Sequence, residues 1–265
     1  MSTDPNLARL IDLAAPLWAG EAEVVRSYWT APIRNRETDC VWLSRQCFKE
    51  FWGSGLSKLD RGGVVLGVMK SVLERAPEID ISIDRYEVLD WLEGIKAEFS
   101  HYCAFADIYD ALRPEGTLKL NPASVQSWPE EDALTQLRYR HQAEHGTVGL
   151  RACKFTEGGY CALFAEGKAL AGKGGVDERI ATACSLVFED EIDHMLAGIA
   201  GIANEGLSAS DWHLLGELVV LQMKQRIHMR NAQFSRPLSE QRIAAIFQGE
   251  IVPARFDFAR AGLAA

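Results

Sequence analysis

No run of the chain approaches the roughly 20 consecutive apolar residues that span a bilayer, so no membrane span is expected. The first ten residues, Met1 to Leu10, lack the basic-then-apolar layout of a targeting segment. Positive charge is in short supply: the formal net charge is −9, which argues against a nucleic-acid-binding face. No C-x-x-C pair occurs among Cys40, Cys47, Cys103, Cys153, Cys161 and Cys184, which argues against a thiolate zinc site or a thioredoxin-like motif. The six read as reduced, mostly buried thiols of a cytoplasmic protein. Low-complexity tracts and clear internal repeats are absent, and the best strand-like alternation is only Ile81-Ser82-Ile83.

Helical periodicity fills the space these absences leave. The pattern predicts helices near Leu7–Ser27, Glu37–Trp52, Leu56–Arg75, Asp84–Leu112, Glu130–Leu170, Asp177–Asn204, a further one capped by Ser208-Ala209-Ser210-Asp211 and running to Phe234, and a last one over Glu240–Phe247. Gly146 and Gly149 divide the Glu130–Leu170 stretch. The expected architecture is all-α, a four-helix bundle with additional N- and C-terminal helices. It forms one domain over residues 1–265, with a core of about 56–205 flanked by helices in 1–55 and 206–265. The polar run Gln222, Lys224, Arg226 and Arg230 reads as a solvated helix face.

Two helices carry charge where their core face should be. Trp91, Ile95, Glu98, His101, Phe105, Ile108 and Leu112 share one stripe at steps of three and four. Ile180, Cys184, Val187, Glu191, His194, Gly198 and Ile202 share another. Residues three apart stack on one helix face, so a carboxylate and an imidazole in Glu-x-x-His spacing can reach one ion. Random placement gives roughly half a match in a chain of this composition, so the pair is only modestly improbable. What makes it informative is its position in mid-stripe, where an uncompensated carboxylate is costly and a metal ion removes the cost.

Two further acids are needed for a pair of ions. Counting across the turn at Gly172–Gly175 sets Glu157 level with Glu191 in an antiparallel hairpin. Glu144, flanked by His141 and His145, is its rival. Reflecting Glu98 through the Pro77–Ile83 turn lands near Gly62, with Asp60 the nearest acid and Glu50 and Glu74 farther off in opposite directions. The expected ligand set is Asp60, Glu98, His101, Glu157, Glu191 and His194.

This order of residues resembles the ferritin-like di-iron carboxylate superfamily, over roughly Asp60 to Asn204. Asp190-Glu191-Ile192-Asp193-His194 is similar to the D-E-x-x-H of its monooxygenases. Spacing is closest to the p-aminobenzoate N-oxygenase branch, although Val187 stands where that branch has an extra histidine. The resemblance implies a ferritin-like bundle holding two iron ions, or a manganese–iron pair. It implies that Asp190 accepts a hydrogen bond from the metal-bound His101. It also implies O₂ as co-substrate for oxidising a small metabolite, with an electron donor, and a homodimer as the assembly. Phe99, Tyr102, Phe105, Tyr160 and Phe164 would then shape a substrate cavity. The alternatives are an iron-storage or peroxide-scavenging ferritin-like protein, and a metal-free helical interaction protein.

Overall fold

The computed structural model describes residues 4–53 and 63–261. It is all-α, with eight α-helices and no strand among the described residues. These are α1 (Pro5–Thr30), α2 (Arg36–Trp52), α3 (Gly63–Arg75), α4 (Arg85–Leu112), α5 (Pro129–Lys168), α6 (Gly175–Gly201), α7 (Ala209–Gln233) and α8 (Glu240–Phe247). None is long and apolar enough to cross a membrane among the described residues. The chain divides into two compact units, one of residues 39–128 and one formed by the segments either side of it.

Local chemistry explains the helix boundaries. Asp4 caps α1 by accepting from the amides of Asn6 (2.7 Å) and Leu7 (3.3 Å), and Pro5 suits the first helical position. Asp84 accepts from the Tyr86 amide to start α4. Ser208 and Asp211 form a reciprocal capping box on α7. Helix α5 is broken at Gly146, whose φ of 54° and ψ of −124° lie outside the helical region; the break falls where the sequence places a glycine pair.

In the unit built from both ends of the chain, α5 packs against α1, α6 and α7, and α1 also packs against α7. Buried apolar side chains such as Leu7, Leu10, Trp18 and Val25 of α1 and Phe155 and Phe164 of α5 fill the interior, each stabilising by roughly 1.5–3 kcal/mol. The Trp18 indole donates to the Phe155 carbonyl at 2.8 Å. Gly158 leaves room for that indole, because a Cβ there would overlap its Nε1.

One turn further along, the interior becomes ionic. Glu21 accepts from Arg226 (2.6 Å) and Arg230 (3.1 Å), and all three side chains are fully buried. Both guanidinium groups lie over the Tyr160 ring, 4.4 Å and 5.4 Å from its centroid. Gly159 makes this possible: a Cβ would run into the Glu21 carboxylate and come within 2.5 Å of Arg226 Nε. The solvated-face reading of α7 is therefore corrected. Gln222, Arg226 and Arg230 are buried, and only Lys224 of that run stays partly exposed. Their spacing by four is a polar stripe in either case; the counter-ion that turns it inward comes from α1, some 200 residues away in the chain.

Within the unit of residues 39–128, α3 packs on α4. Trp42 donates to Asp39 (2.9 Å) and meets Phe105 edge-on at 6.1 Å. Cys47 Sγ lies 3.9 Å from the Tyr102 carbonyl, tying α2 to the middle of α4.

Candidate metal centre

The inward stripe of α4 forms as the periodicity requires. His101, Phe105 and Ile108 are buried, and Trp91, Ile95 and Glu98 are partly covered. Three residues separate Glu98 from His101, so both project from one face. A second carboxylate arrives from α2. Glu50 is 5% exposed and His101 1%, and Glu50 Oε2 lies 3.8 Å from His101 Nδ1. Gln46, one turn earlier on α2, donates to Glu50 Oε1 at 2.5 Å and fixes the carboxylate's orientation.

Glu50, Glu98 and His101 each offer a ligand atom, and these atoms all lie within 4.8 Å of one another. Among the described residues this is the one group of three or more such side chains within reach of a single ion. Ligands at about 2.0–2.2 Å from a first-row divalent ion stand roughly 3–4 Å apart, so closure onto an ion requires shifts of under about 1 Å. Two carboxylates held this close repel by on the order of 3 kcal/mol at an effective dielectric constant of 20; a divalent cation reverses the sign of that interaction. Oxygen and imidazole donors without thiolate suit iron, manganese or zinc.

The surroundings are aromatic, with Phe51 and Tyr102 buried and Phe99 exposed. Phe51, Phe99 and Tyr102 form a cluster with ring centroids 5.5–6.4 Å apart. Burial, with smaller contributions from Cys47, Cys103 and Asp110, pushes the Tyr102 phenol up to about 12. Burial and then Glu50 push the Cys47 thiol well above its ordinary range. A low-dielectric setting makes an unneutralised carboxylate pair more costly and a bound cation more favourable.

Asp60 lies outside the described residues. Glu74 is exposed and paired with Lys70 at 3.6 Å. Glu50 thus stands where the sequence reading leaves three acids open. Glu144 is exposed beside His145 at 3.8 Å, while His141 is buried and its Nδ1 lies 3.0 Å from Gln222 Nε2. Burial, aided by His145, lowers the His141 pKa, in keeping with a neutral ring that accepts from the Gln222 amide.

Glu157, Glu191, His194 and Asp190 belong to the other unit, on α5 and α6. Glu157 is partly exposed and paired with Lys154 at 3.2 Å. Gly167 packs on Cys184, and Gly198 packs on Lys154 and Glu157; interpolating between these contacts sets Glu191 level with about Tyr160, one turn from Glu157. Both carboxylates act on the buried Cys161 thiol, which burial and then Glu191 and Glu157 push upward and Arg226 draws down. A positive guanidinium is thus already present in that region of the bundle. His194 and Asp190 are exposed, so the inward placement expected of His194 is corrected. The buried face of α6 turns along its length, from Ile180, Cys184 and Val187 to Ile192, Met195, Leu196 and Ile199. Glu191 falls at its margin and His194 outside it.

Comparison of the chain with family models, with curated proteins and with solved structures returns no match.

Proposed function

We propose that this protein is a non-haem iron or manganese oxidoreductase whose metal is held by Glu50, Glu98 and His101, and which uses O₂ to oxidise a small molecule. The observation that carries the metal part is the convergence of two carboxylates and one imidazole from α2 and α4, largely buried among aromatic rings. The oxidative part rests on the resemblance of the Glu-x-x-His pattern to the di-iron carboxylate superfamily. A bound iron supplies open coordination positions and a reversible one-electron couple. The chain's own contributions are separate from that chemistry. Glu98 and His101 are fixed three residues apart on one rigid helix; Gln46 orients Glu50; the buried Phe51 and Tyr102 limit water on their side of the ligands.

The test is O₂ consumption by the full-length protein, reconstituted anaerobically with Fe(II) and mixed with aerated buffer containing ascorbate. Turnover beyond one O₂ per bound iron is expected, faster than with free Fe(II), and lost in His101→Ala. O₂ uptake at the rate of free Fe(II) would reject the oxidase reading. Accumulation of tens of ferric ions per chain would instead favour storage.

A further inference from the structure

The ionic core shared by α1, α5 and α7 holds more positive than negative charge, and we propose that it binds a small monoanion of carboxylate shape there. The site lies outside the candidate metal centre and does not depend on the metal reading. Arg226 and Arg230 are fully buried, and Glu21 is the counter-ion they share. Neither cation forms an ion pair with any other carboxylate among the described residues. Two cations and one carboxylate leave one positive charge in the interior, where an uncompensated charge is very costly. A buried lysine or histidine could escape that cost by losing its proton, but arginine keeps its proton. Burial, the largest influence, and the neighbouring Arg226 lower the Arg230 pKa against the pull of Glu21.

The hydrogen bonds show where the missing negative charge fits. Glu21 Oε1 accepts from Arg226 Nε at 2.6 Å, and Oε2 from Arg230 Nε at 3.1 Å. The carboxylate therefore bridges the two Nε groups and grips neither guanidinium bidentately. Arg230 Nη1 donates to Gln233 Oε1. Arg226 Nη1 and Nη2 and Arg230 Nη2 are sealed from solvent and have no hydrogen-bond partner. On Arg226 the two free groups make up the whole end-on edge of the guanidinium. Parallel N–H bonds on such an edge match the two oxygens of one carboxylate. Both guanidinium groups lie over the Tyr160 ring, which holds the second cation beside the first. The negative face of that ring offsets part of the charge but leaves the in-plane N–H groups unmet. A buried water would satisfy a donor or two and leave the excess charge in place; an anion answers both. With all three side chains fully buried, the occupant must be small, of the formate and acetate class.

Thermal denaturation of the full-length chain in sodium formate is the test, with ionic strength held constant by a bulky sulfonate, 2-(N-morpholino)ethanesulfonate. Raising formate about 100-fold, into the range of roughly 0.1 M, is expected to raise Tm by about 5 °C. Chloride should act more weakly, because it offers no pair of oxygens to the guanidinium edge. Arg226→Met leaves one cation for one carboxylate and should abolish the response. The combined Glu21→Leu, Arg226→Met and Arg230→Met variant needs no counter-ion and should also be insensitive, so the test stands if the single change fails to fold. His101→Ala, which disables the metal centre, should respond to formate as the wild type does. Equal Tm values in formate and in the sulfonate would overturn the proposal. So would a formate response that survives undiminished in the combined variant.

Discussion

Replacing Glu98 or His101 by alanine is expected to lower iron or manganese affinity by more than about 100-fold, since even partners one step removed from a metal contribute 10–100-fold. Glu50→Ala should do the same, because Glu50 supplies the second carboxylate. Glu74→Ala, which removes an exposed acid paired with Lys70, should leave binding unchanged. Metal content after Fe(II) loading and desalting is the readout. Retention of metal in both Glu98→Ala and His101→Ala would remove the basis of the assignment. The ion count also distinguishes one site from two. Glu191→Ala and His194→Ala should leave the ion at Glu50–Glu98–His101 in place, and a drop from two equivalents to one in these variants would show that α6 holds a second. In the metal-free protein Glu50→Gln should be at least as stable as wild type, because it relieves the repulsion between neighbouring carboxylates.

Glu21→Ala is expected to be the most destabilising single change on α1. It leaves Arg226 and Arg230 buried side by side without their carboxylate. Breaking a buried pair by removing one partner costs about 3–5 kcal/mol, which in a chain of this size lowers Tm by on the order of 10 °C. Arg226 Nη1 and Nη2 and Arg230 Nη2 have no hydrogen-bond partner among the described residues, so Glu21 is the principal compensation for both cations. Replacing all three together with apolar residues, Glu21→Leu, Arg226→Met and Arg230→Met, should restore much of the loss. Thermal denaturation followed by circular dichroism at 222 nm checks both. A Glu21→Ala protein within about 1 kcal/mol of wild type would show that the cations are neutralised by other groups.

The contrast between α4 and α7 shows what periodicity can and cannot reveal. On α4 the Glu98–His101 pair was legible because apolar neighbours at helical spacing fix the inward side. On α7 the equally periodic Gln222, Arg226 and Arg230 looked solvated, because nothing nearby in the chain announces Glu21 of α1 as their counter-ion. The adjacent Gly158 and Gly159, which permit close approach of α1 and α5, are the sequence signal that could have pointed to a tight crossing there.

Glu50 stood only as an outlying alternative to Asp60 for a related reason. Reflecting a position through a turn finds the neighbour on the adjacent helix of a hairpin, and α3 does pack on α4. The second carboxylate comes instead from α2, whose place beside α4 is set by tertiary packing of Cys47 on Tyr102 and Trp42 on Phe105. The same count across the α5–α6 turn came within one helical turn, since those helices are true sequence neighbours. The inward placement expected of His194 failed because a 3.6-residue stripe assumes a fixed inward side, whereas the covered face of α6 turns along its length.

The most direct measurement is a crystal structure of the Fe(II)-loaded protein with anomalous scattering recorded on either side of the iron edge. An iron peak bonded at about 2.0–2.2 Å to Glu50, Glu98 and His101 is expected. Full iron loading with no peak between these three side chains would show that they are not the metal centre.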